Sequence, residues 1–352
     1  MVQLPVDKIS DKYAGDYRGE LSDNGMLAGF KAELIAIKGD FPEGGTTRLI
    51  IPKKYTGKIR PTLNNDDIRK YINLIIQYYD ELLSDHPSEL LRKSALFEAI
   101  IGREQINRKI DDGGSEKVSL SSRIVEAMGY STIRDDVYPR YVKKLGIKTC
   151  VYCNANYAIT DKDGNGYYEL DHWKPKSLYP YLCTSFYNLQ VSCASCNRRK
   201  SDSDHYQFFQ LWNDQTDKCN EVLQFGLNYG NAARYWITHH SQNDYVRFKS
   251  AAPQYEQMRK DMEERLHIAA RYIEHNDVTE EIFWKAKAYN PSFLASLYGG
   301  FNGAGPRSLT LPLSRGDMYR FILGCYQMPE DVHRRPLSKM IQDIAKELKI
   351  EI

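Results

Sequence analysis

Cys150-Val-Tyr-Cys153 and Cys193-Ala-Ser-Cys196 are two pairs of cysteines that bracket residues 154–192, near the middle of the chain. Two residues between cysteines let both thiolates of a turn face one ion, and two such turns complete a tetrahedral shell of four sulfurs that suits zinc. A shell filled by four protein ligands has no open position, so we expect a structural zinc ion. A redox Cys-x-x-Cys or unrelated buried cysteines are the alternatives, but a redox pair does not explain the second motif.

Length and composition indicate a folded chain with room for two or three domains. The 352 residues are 42% hydrophobic and 27% charged, and a domain usually holds about 100 to 200 residues. The formal net charge of +2 is too small to indicate nucleic-acid binding, so any such surface must be local. The chain shows neither a basic and apolar leader nor an apolar run of membrane-spanning length, so we expect a cytoplasmic protein without a membrane partner.

The other cysteines support the zinc interpretation. Seven cysteines, four of them in the two pairs, are too few and too clustered for a disulfide scaffold, and the thiols of a cytoplasmic protein are reduced. Cys183, Cys219 and Cys325 have no partner at ligand spacing, so each is expected to be a small buried hydrophobic residue.

The segment between the cysteine pairs has the pattern of a β-hairpin followed by a helix. Alternating residues from Asn156 to Thr160 and from Tyr167 to Asp171 flank a Gly-Asn-Gly turn at residues 164–166, which predicts two paired strands. The second strand ends on Asp171 and is followed by His172. After a loop, Asn197-Arg-Arg-Lys200 is a natural helix start. We therefore predict a ββα module over residues 140–209.

Three stretches of this module resemble a known family. The sequences ELDHWKPKS, SFYNL and SCASCNRRKSD are similar to those of the HNH (ββα-metal) endonuclease family, in its form with a four-cysteine zinc site. Asp171-His172, Asn188 and Asn197 match the family signature in order. The last position departs from the histidine that names the family, but asparagine is a known variant there. The resemblance implies that these four residues are catalytic.

The chemistry of these side chains agrees with phosphodiester hydrolysis. That reaction needs a deprotonated water and a cation that neutralises charge on the phosphate and the leaving oxygen. His172, with an ordinary pKa near 6.5, can act as general base at neutral pH. Asp171 and Asn197 offer oxygen donors, which favour Mg²⁺ or Mn²⁺ as the catalytic ion. The resemblance gives Asn188 the role of holding the histidine loop and the ring orientation.

Adjacent strand residues point to opposite faces of a sheet. Asp171 and His172 could therefore share one site only if the strand ended or bent at this point. We expect it to do so.

A concentrated basic patch accompanies these residues. No acidic residue lies between His172 and Lys200, and Arg140, Lys143, Lys144 and Lys148 precede the first cysteine pair. This patch suits phosphates, although a solvated surface is the alternative. The predicted substrate-binding residues are Lys174, Lys176, Arg198, Arg199 and Lys200. Lys200, one turn beyond Asn197, is the best candidate for the phosphate nearest the metal.

Four aromatic residues of the module have two possible uses. They could stack on bases, but packing of a small zinc module is the favoured interpretation. These residues are Tyr179, Tyr181, Phe186 and Tyr187.

The region before the module, residues 1–139, is predicted to be mainly helical. It opens irregularly and contains a strand at Thr46–Ile51. Apolar residues then recur at helical spacing from Asp66, behind an Asn65 cap. Another helix starts at Pro87 and carries Ile101 on its apolar face, and a third covers Leu120–Met128 and is closed by Gly129.

The region after the module, residues 210–352, is also predicted to be mainly helical. A long amphipathic helix covers Pro253–His275, and Thr279 caps a helix that runs to Tyr289. The stretch Gly299–Gly305 lacks the Lys and Ser/Thr of a phosphate-binding loop, so it is expected to be a flexible loop. A final helix covers Pro336–Leu348. The fold class is therefore α+β, a zinc-stapled ββα-metal module between two mainly α-helical regions.

The sequence favours an endonuclease acting on DNA. Within the family, DHWKPKSLYPYL and SFYNLQVSCASCN resemble bacterial defence-associated HNH proteins such as the nuclease subunit of Septu-type anti-phage systems. That resemblance implies an ATPase partner protein. One alternative is a self-sufficient restriction-type nuclease. Another is a zinc module that binds nucleic acid without cutting it, since zinc turns and a basic patch suffice for binding.

Overall fold

The computed structural model describes residues 1–51, 61–111, 117–214, 220–242, 244–302 and 314–350. Within them, the helices are α1 Lys8–Asp23, α2 Met26–Gly39, α3 Asn65–Leu82, α4 Pro87–Glu98, α5 Arg103–Ile106, α6 Leu120–Ala127, α7 Tyr130–Thr132, α8 Tyr138–Lys144, α9 Ala194–Lys200, α10 Tyr229–Thr238, α11 Glu256–Leu266, α12 Ile268–Ile273, α13 Asn276–Ala288, α14 Pro291–Asn302, α15 Arg315–Leu323 and α16 Ser338–Glu347. The strands are β1 Leu4–Pro5, β2 Thr46–Ile50, β3 Thr62–Asn64, β4 Lys109–Asp111, β5 Ile159–Thr160, β6 Gly166–Tyr167, β7 Glu169–His172, β8 Leu189–Ser192, β9 Trp212–Asn213, β10 Leu223–Leu227 and β11 Val246–Ser250. The mixed helix and sheet class confirms the predicted α+β fold.

The first forty residues form two helices, so the predicted irregular opening is wrong. Asp7 caps α1 by accepting from the backbone amides of Ile9 and Ser10, and Ser10 completes a capping box,. The inward face of α1 buries Ser10, Ala14, Tyr17 and Leu21. Two of these four are polar or aromatic, so the apolar periodicity that reveals a helix is weak here.

The next helices confirm the predicted elements with small shifts at their ends. Asn64, and not Asn65, caps α3 by accepting from the Asp66 amide, while the Asn65 side chain accepts from the Thr47 hydroxyl at 2.7 Å. Helix α4 ends at Glu98, so Ile101 lies beyond it. The predicted strand at residues 46–51 is β2, which lies between β3 and β4 in an antiparallel sheet.

The central module contains two separate strand pairs instead of one hairpin. Strands β5 and β6 pair around the Gly-Asn-Gly turn, but β7, which carries Asp171 and His172, pairs with β8. The ββα unit is therefore β7, β8 and α9, and the predicted hairpin partner of the Asp-His strand is corrected. A bend at Tyr168 ends the first pair, and the buried residues of β8 provide a better partner for a buried strand.

The predicted long helix at residues 253–275 is interrupted. A 3₁₀ turn at Pro253–Tyr255 precedes α11, and His267, with φ +51°, separates α11 from α12. The Glu263 carboxylate accepts from the Ala269 amide at 2.8 Å and caps the new helix. Helical periodicity continues through the break, so the pattern alone cannot reveal it.

Other C-terminal predictions are also adjusted. Thr279 does not cap α13; it is buried inside that helix, which begins at Asn276. Gly299 and Gly300 belong to α14 instead of a loop, and residues 303–305 lie outside the described part of the chain. The final helix, α16, is confirmed with slightly shorter bounds. The antiparallel pair β10–β11 was not predicted.

The central module packs between the two flanking regions. Phe186 contacts Tyr17 and Tyr138 through its ring, and its amide donates to the Leu83 carbonyl at 2.9 Å. Strand β1 pairs in parallel with β9 and so joins the first residues to those that follow the module. The predicted divisions at residues 139 and 209 remain predictions. None of the helices in the described ranges is long and apolar enough to cross a membrane.

Candidate active site and metal centre

The four paired cysteines come together in one cluster. The Sγ atoms of Cys150, Cys153, Cys193 and Cys196 all lie within 4.8 Å of one another. Cys150 and Cys153 lie in the turn after α8, while Cys193 is the N-cap residue of α9 and Cys196 lies in that helix. Four sulfurs at this separation fit one tetrahedral ion with metal–sulfur distances of about 2.3 Å, the geometry that zinc prefers.

Hydrogen-bond donors surround the sulfurs. The Ala155 amide lies 3.4 Å from the Sγ of Cys153, and Asn156 Nδ2 lies 3.3 Å from that of Cys193. Arg271, from α12, donates to the Sγ of Cys196 at 3.0 Å. Four thiolates around Zn²⁺ carry a net charge of about −2, and such donors stabilise that charge. The C-terminal region therefore contributes directly to the metal centre.

The four clustered thiols share hydrogen bonds but differ in acidity, and metal binding requires their thiolate form. Burial raises the pKa of Cys150 well above its ordinary value, and the pKa of Cys196 is also raised. Hydrogen bonding from Cys150 lowers the pKa of Cys153 to about 7. The same neighbour lowers the pKa of Cys193 well below its ordinary value. Outside the cluster, burial raises the pKa of Cys183 and that of Cys325 to about 12. Both are buried, as predicted, and Cys219 lies outside the described residues.

Asp171 lies in a buried polar network beside the cysteine cluster. The Lys200 ammonium lies 3.2 Å from its carboxylate and donates to the His172 carbonyl oxygen at 2.7 Å. The Tyr152 hydroxyl also donates to Asp171, and Gln190 Nε2 donates to that hydroxyl. Lys200 is only 1% exposed. Its ammonium therefore neutralises Asp171, and its contact with a phosphate stays a prediction.

His172 is a buried histidine whose hydrogen bonding fixes its tautomer. Its side chain is 4% exposed, and its Nε2 lies 2.9 Å from the Cys183 carbonyl oxygen. Because a carbonyl oxygen only accepts, Nε2 must carry the proton, so the Nδ1 lone pair of the neutral ring is available as a base. Burial lowers the pKa of His172 well below the ordinary 6.5, and the charges of Lys176 and Lys200 lower it further.

Strand β7 continues through His172, one residue beyond the predicted end at Asp171, and Asp171 and His172 reach different neighbours. Both pair regularly with β8, opposite Gln190 and Leu189. The Asp171 carboxylate contacts Lys200, whereas the His172 ring lies 4.8 Å from that of Tyr130.

Asn188 holds the loop that follows His172. Its Oδ1 accepts from the Lys174 amide at 2.8 Å, and its Nδ2 donates to the carbonyls of Lys174 and Leu182 at 3.2 and 3.0 Å. Asn188 was predicted to hold both the loop and the histidine ring, and these bonds are to the loop. Ring orientation comes instead from the Cys183 carbonyl, because no hydrogen bond joins Asn188 to the imidazole in the described structure.

Asn197 lies half-buried on α9. Among the described residues its side-chain amide has no hydrogen-bond partner. Lys200, on the same helix, contacts Asp171, so α9 packs against β7. The structure thus joins Asp171 and His172 through Lys200. Asn188 bonds the loop that follows His172, and Asn197 lies a helical turn before Lys200.

The remaining predicted substrate-binding residues have different surroundings. Lys176 lies half-buried, with its ammonium 4.1 Å from the centre of the Tyr130 ring, and Arg198 and Arg199 are exposed on α9. The Lys174 ammonium lies 3.7 Å from the carboxylate of Asp204, an acidic residue just after the basic stretch. A groove of about 630 Å³ adjoins this loop, and its lining residues include Trp173, Lys174, Asp204 and His205.

The four aromatic residues of the module are buried, which confirms packing over base stacking. Phe97 stacks on Tyr181 with 3.8 Å between ring centroids, and Tyr179, Phe186 and Tyr187 are likewise inside.

Sequence reasoning missed several supporting residues. Tyr152 and Tyr130 contact Asp171 and His172, and Arg271 contacts a cysteine sulfur. Tyr152 lies within the first cysteine motif, which was the one available signal. Tyr130 and Arg271 come from distant segments and had none.

Comparison with known proteins supports the same part of the chain. Residues 150–203 match the family model described as HNH endonuclease. The matched segment contains all four clustered cysteines together with Asp171, His172, Asn188 and Asn197. No curated protein and no solved structure matches the chain. The HNH endonuclease domain, with a cysteine cluster that could hold zinc, supports a nuclease or nucleic-acid-binding role.

Proposed function

We propose that the protein is a metal-dependent HNH endonuclease that hydrolyses phosphodiester bonds of DNA with His172 as the general base. The observation that carries this proposal is the Nε2 contact of His172 with the Cys183 carbonyl at 2.9 Å. It leaves Nδ1 as a proton acceptor in a ring that burial keeps neutral,.

Asp171 and Asn197 would hold the catalytic cation. A carboxylate and an amide offer oxygen donors, which suit Mg²⁺ or Mn²⁺. When bound, such an ion neutralises charge on the phosphate and the leaving oxygen. Asn188 keeps the loop in place, while the clustered cysteines hold zinc and fix the start of α9. Zinc and the second ion thus have separate residues and separate roles.

The surface near the loop provides positive charge for the DNA backbone. We expect Lys176, Arg198, Arg199 and Lys174 to contact phosphates, with Lys174 weakened by its pairing with Asp204. Such contacts position a strand without reading its sequence. We expect the strand to lie along the groove beside Trp173, next to the loop that follows His172.

A role in bacterial anti-phage defence, with an ATPase partner, is the finer part of the proposal. It is supported by the resemblance of residues 171–197 to defence-associated HNH proteins. We expect the flanking helices to select the partner or target. The genes adjacent to this one distinguish the alternatives, because an ATPase neighbour favours the complex and a methyltransferase neighbour favours a self-sufficient restriction-type nuclease.

One observation favours a second function, a zinc module that binds nucleic acid without cutting it. The Lys200 ammonium forms an ion pair with the Asp171 carboxylate, the same group that would bind the catalytic cation. If that ion pair is permanent, Asp171 is a structural residue, and the basic surface would bind a strand without hydrolysis.

Plasmid nicking with titrated Mn²⁺ separates the two functions. We expect His172→Ala to lose about 10² to 10⁴ in rate at every Mn²⁺ concentration, because a positioned base is missing. Asp171→Ala and Asn197→Ala should be partly rescued by raised Mn²⁺, because they weaken metal binding instead. His86→Ala is the matched control, since His86 is a half-exposed histidine paired with Asp11.

Zinc content and DNA affinity at fixed salt should be unchanged in His172→Ala. Wild-type cleavage by His172→Ala, or by the Asp171→Ala, Asn197→Ala double variant, would place the active site elsewhere. Absence of divalent-dependent nicking by the wild-type protein, together with normal DNA binding, would favour the binding module.

A further inference from the structure

A group of aromatic rings lies at the surface of the C-terminal region, on α10 and α13. Trp284 is 45% exposed; the Trp236 ring lies 5.5 Å from it at 65°, and the His239 ring lies 6.1 Å from it and nearly parallel, at 13°. We call Trp236, His239 and Trp284 the tryptophan platform. A soluble domain buries most large aromatic rings, so a cluster left partly open is a feature of binding surfaces.

The rings of the platform are held in place. Trp284 Nε1 donates to the Tyr235 hydroxyl at 2.8 Å, and Tyr235 is buried. His239 ends α10 in the left-handed region, with φ +55°, and this conformation turns its ring toward Trp284. A stacking partner therefore meets rings whose orientation is already fixed, which lowers the entropy cost of binding.

A positive charge lies beside the platform. The Lys287 ammonium lies 5.3 Å from the centre of the Trp236 ring and 5.7 Å from that of Trp284. Arg234 and His240, which are close in sequence to Trp236 and His239, are exposed, and residues 222–243 contain no acidic residue.

Two of the three acids of α13, Glu280 and Glu281, are engaged elsewhere, and the third, Asp277, lies in the first turn of the helix. Glu280 accepts from the Tyr245 hydroxyl at 2.7 Å, and Glu281 pairs with Lys285 at 3.2 Å. The partly exposed rings are thus accompanied by the Lys287 ammonium, which has no carboxylate partner among the described residues, and this charge is complementary to an anion,.

We propose that the tryptophan platform binds unpaired bases of single-stranded nucleic acid. Every base has a face that stacks on an aromatic ring, and the strand brings one phosphate per base for nearby cations, so rings and charges together fit this ligand. The inference rests on the proposed function only in taking nucleic acid as the substrate. It adds a second place, outside the HNH segment, where the nuclease holds a strand.

The test measures binding of a fluorescent oligothymidine to the full chain that carries His172→Ala, so that the probe stays intact. Adding Trp284→Ala should weaken binding about 5- to 100-fold, the usual effect of losing one stacked base. Trp284→Phe should retain most of the affinity, since a ring remains. Phe321→Ala is the matched control, because Phe321 is 64% exposed on α15, and it should leave the affinity unchanged.

A second probe separates stacking from charge. An abasic phosphodiester oligomer of equal length should bind the Trp284→Ala protein and its parent equally well. Equal affinities of Trp284→Ala and Phe321→Ala for oligothymidine would overturn the proposal and favour a protein partner for the platform. If Trp284→Ala lost the same amount of affinity for the abasic oligomer as for oligothymidine, the proposal would also be overturned. The nuclease proposal fails on a different result, which is plasmid nicking by the His172→Ala protein with Trp284 intact.

Discussion

The cysteine cluster and the Asp171–His172 site are neighbours built in different ways. The cluster is made by two short motifs whose spacing already specifies the ligand set. The second site depends on a backbone carbonyl from Cys183, an ammonium from Lys200 and a hydroxyl from Tyr152. The two sites share α9 and the Cys150–Cys153 turn. The ligands of a metal centre can thus be predicted from sequence, whereas the arrangement of the neighbouring site depends on tertiary contacts.

Loss of zinc should have the largest effect, because it disturbs both sites. The double change Cys193→Ser, Cys196→Ser should reduce bound zinc from about one ion per chain to almost none. Structural zinc contributes on the order of 10 kcal/mol in small zinc-binding peptides, so the start of α9 should unfold locally. Elemental analysis, thermal unfolding and plasmid nicking measure the three consequences. Asn197 and Lys200 lie on α9, so nicking should be lost as well.

The matched control for this change is Cys325→Ser, which alters a buried thiol outside the cluster. It should keep its zinc and its nicking activity. Wild-type protein without zinc, with all four clustered thiols freely titratable under native conditions, would contradict the assignment and separate the two sites.

A site can be predicted from the sequence when its residues lie close together in the chain, and not when they come from distant segments. Residues 150–203 carry the cysteine motifs, Asp171, His172, Asn188 and Asn197, so the zinc ligands and candidate catalytic residues could be proposed from local patterns. The partner of strand β7 could not, because β5–β6 offers an equally good hairpin signal and only burial selects β8. Tyr130 and Arg271 reach the sites from other elements, and no spacing rule connects them.

The same reasoning accounts for the flanks. Helices with strongly periodic apolar faces, such as α3 and α16, were predicted nearly to the residue. Helix α1 was missed because its buried face includes Ser10 and Tyr17. The break at His267 was missed because the apolar period continues across it. Beyond the break, Arg271 reaches Cys196 on α9 and Tyr272 reaches the Cys153 carbonyl of the cysteine turn.

A buried ion pair gives the next largest effect and tests how the second site is held. Lys200→Met should destabilise the protein by about 3 to 5 kcal/mol, because it leaves the Asp171 carboxylate without its partner. If Asp171 binds a divalent cation, Mn²⁺ should restore part of that loss. Urea unfolding with and without Mn²⁺ measures both. Lys176→Met is the control, because it removes the same charge from a half-buried lysine that does not bond Asp171.

If Mn²⁺ restored the stability of Lys200→Met and of Lys176→Met to the same small extent, the result would argue against Asp171 as a metal ligand. It would also favour the binding module over the nuclease. Zinc content should be normal in both variants, since neither lysine contacts a cysteine sulfur in the described structure.

The smallest effects come from two side chains that each serve one site. Tyr152→Phe removes the hydroxyl that donates to Asp171 but leaves the cysteine turn intact. A net hydrogen bond contributes about 0.5 to 1.5 kcal/mol, so we expect the Mn²⁺ concentration for half-maximal nicking to shift by about 2- to 10-fold, with zinc unchanged. Arg271→Gln removes a charged donor to the Cys196 sulfur. It should weaken zinc binding by about 10-fold or more and leave nicking unchanged at saturating zinc.

Measured together, the two variants show how closely the sites are joined. Zinc competition with a chelator reports on the cysteine cluster, and nicking against Mn²⁺ reports on Asp171. If each variant changes only its own measurement, the shared turn and helix act as a rigid support, because a hydroxyl can be removed from one side without disturbing the other. If Tyr152→Phe also weakens zinc binding, the turn itself moves when Asp171 loses a contact. The two sites would then be one cooperative unit, and the contrast between them would be wrong.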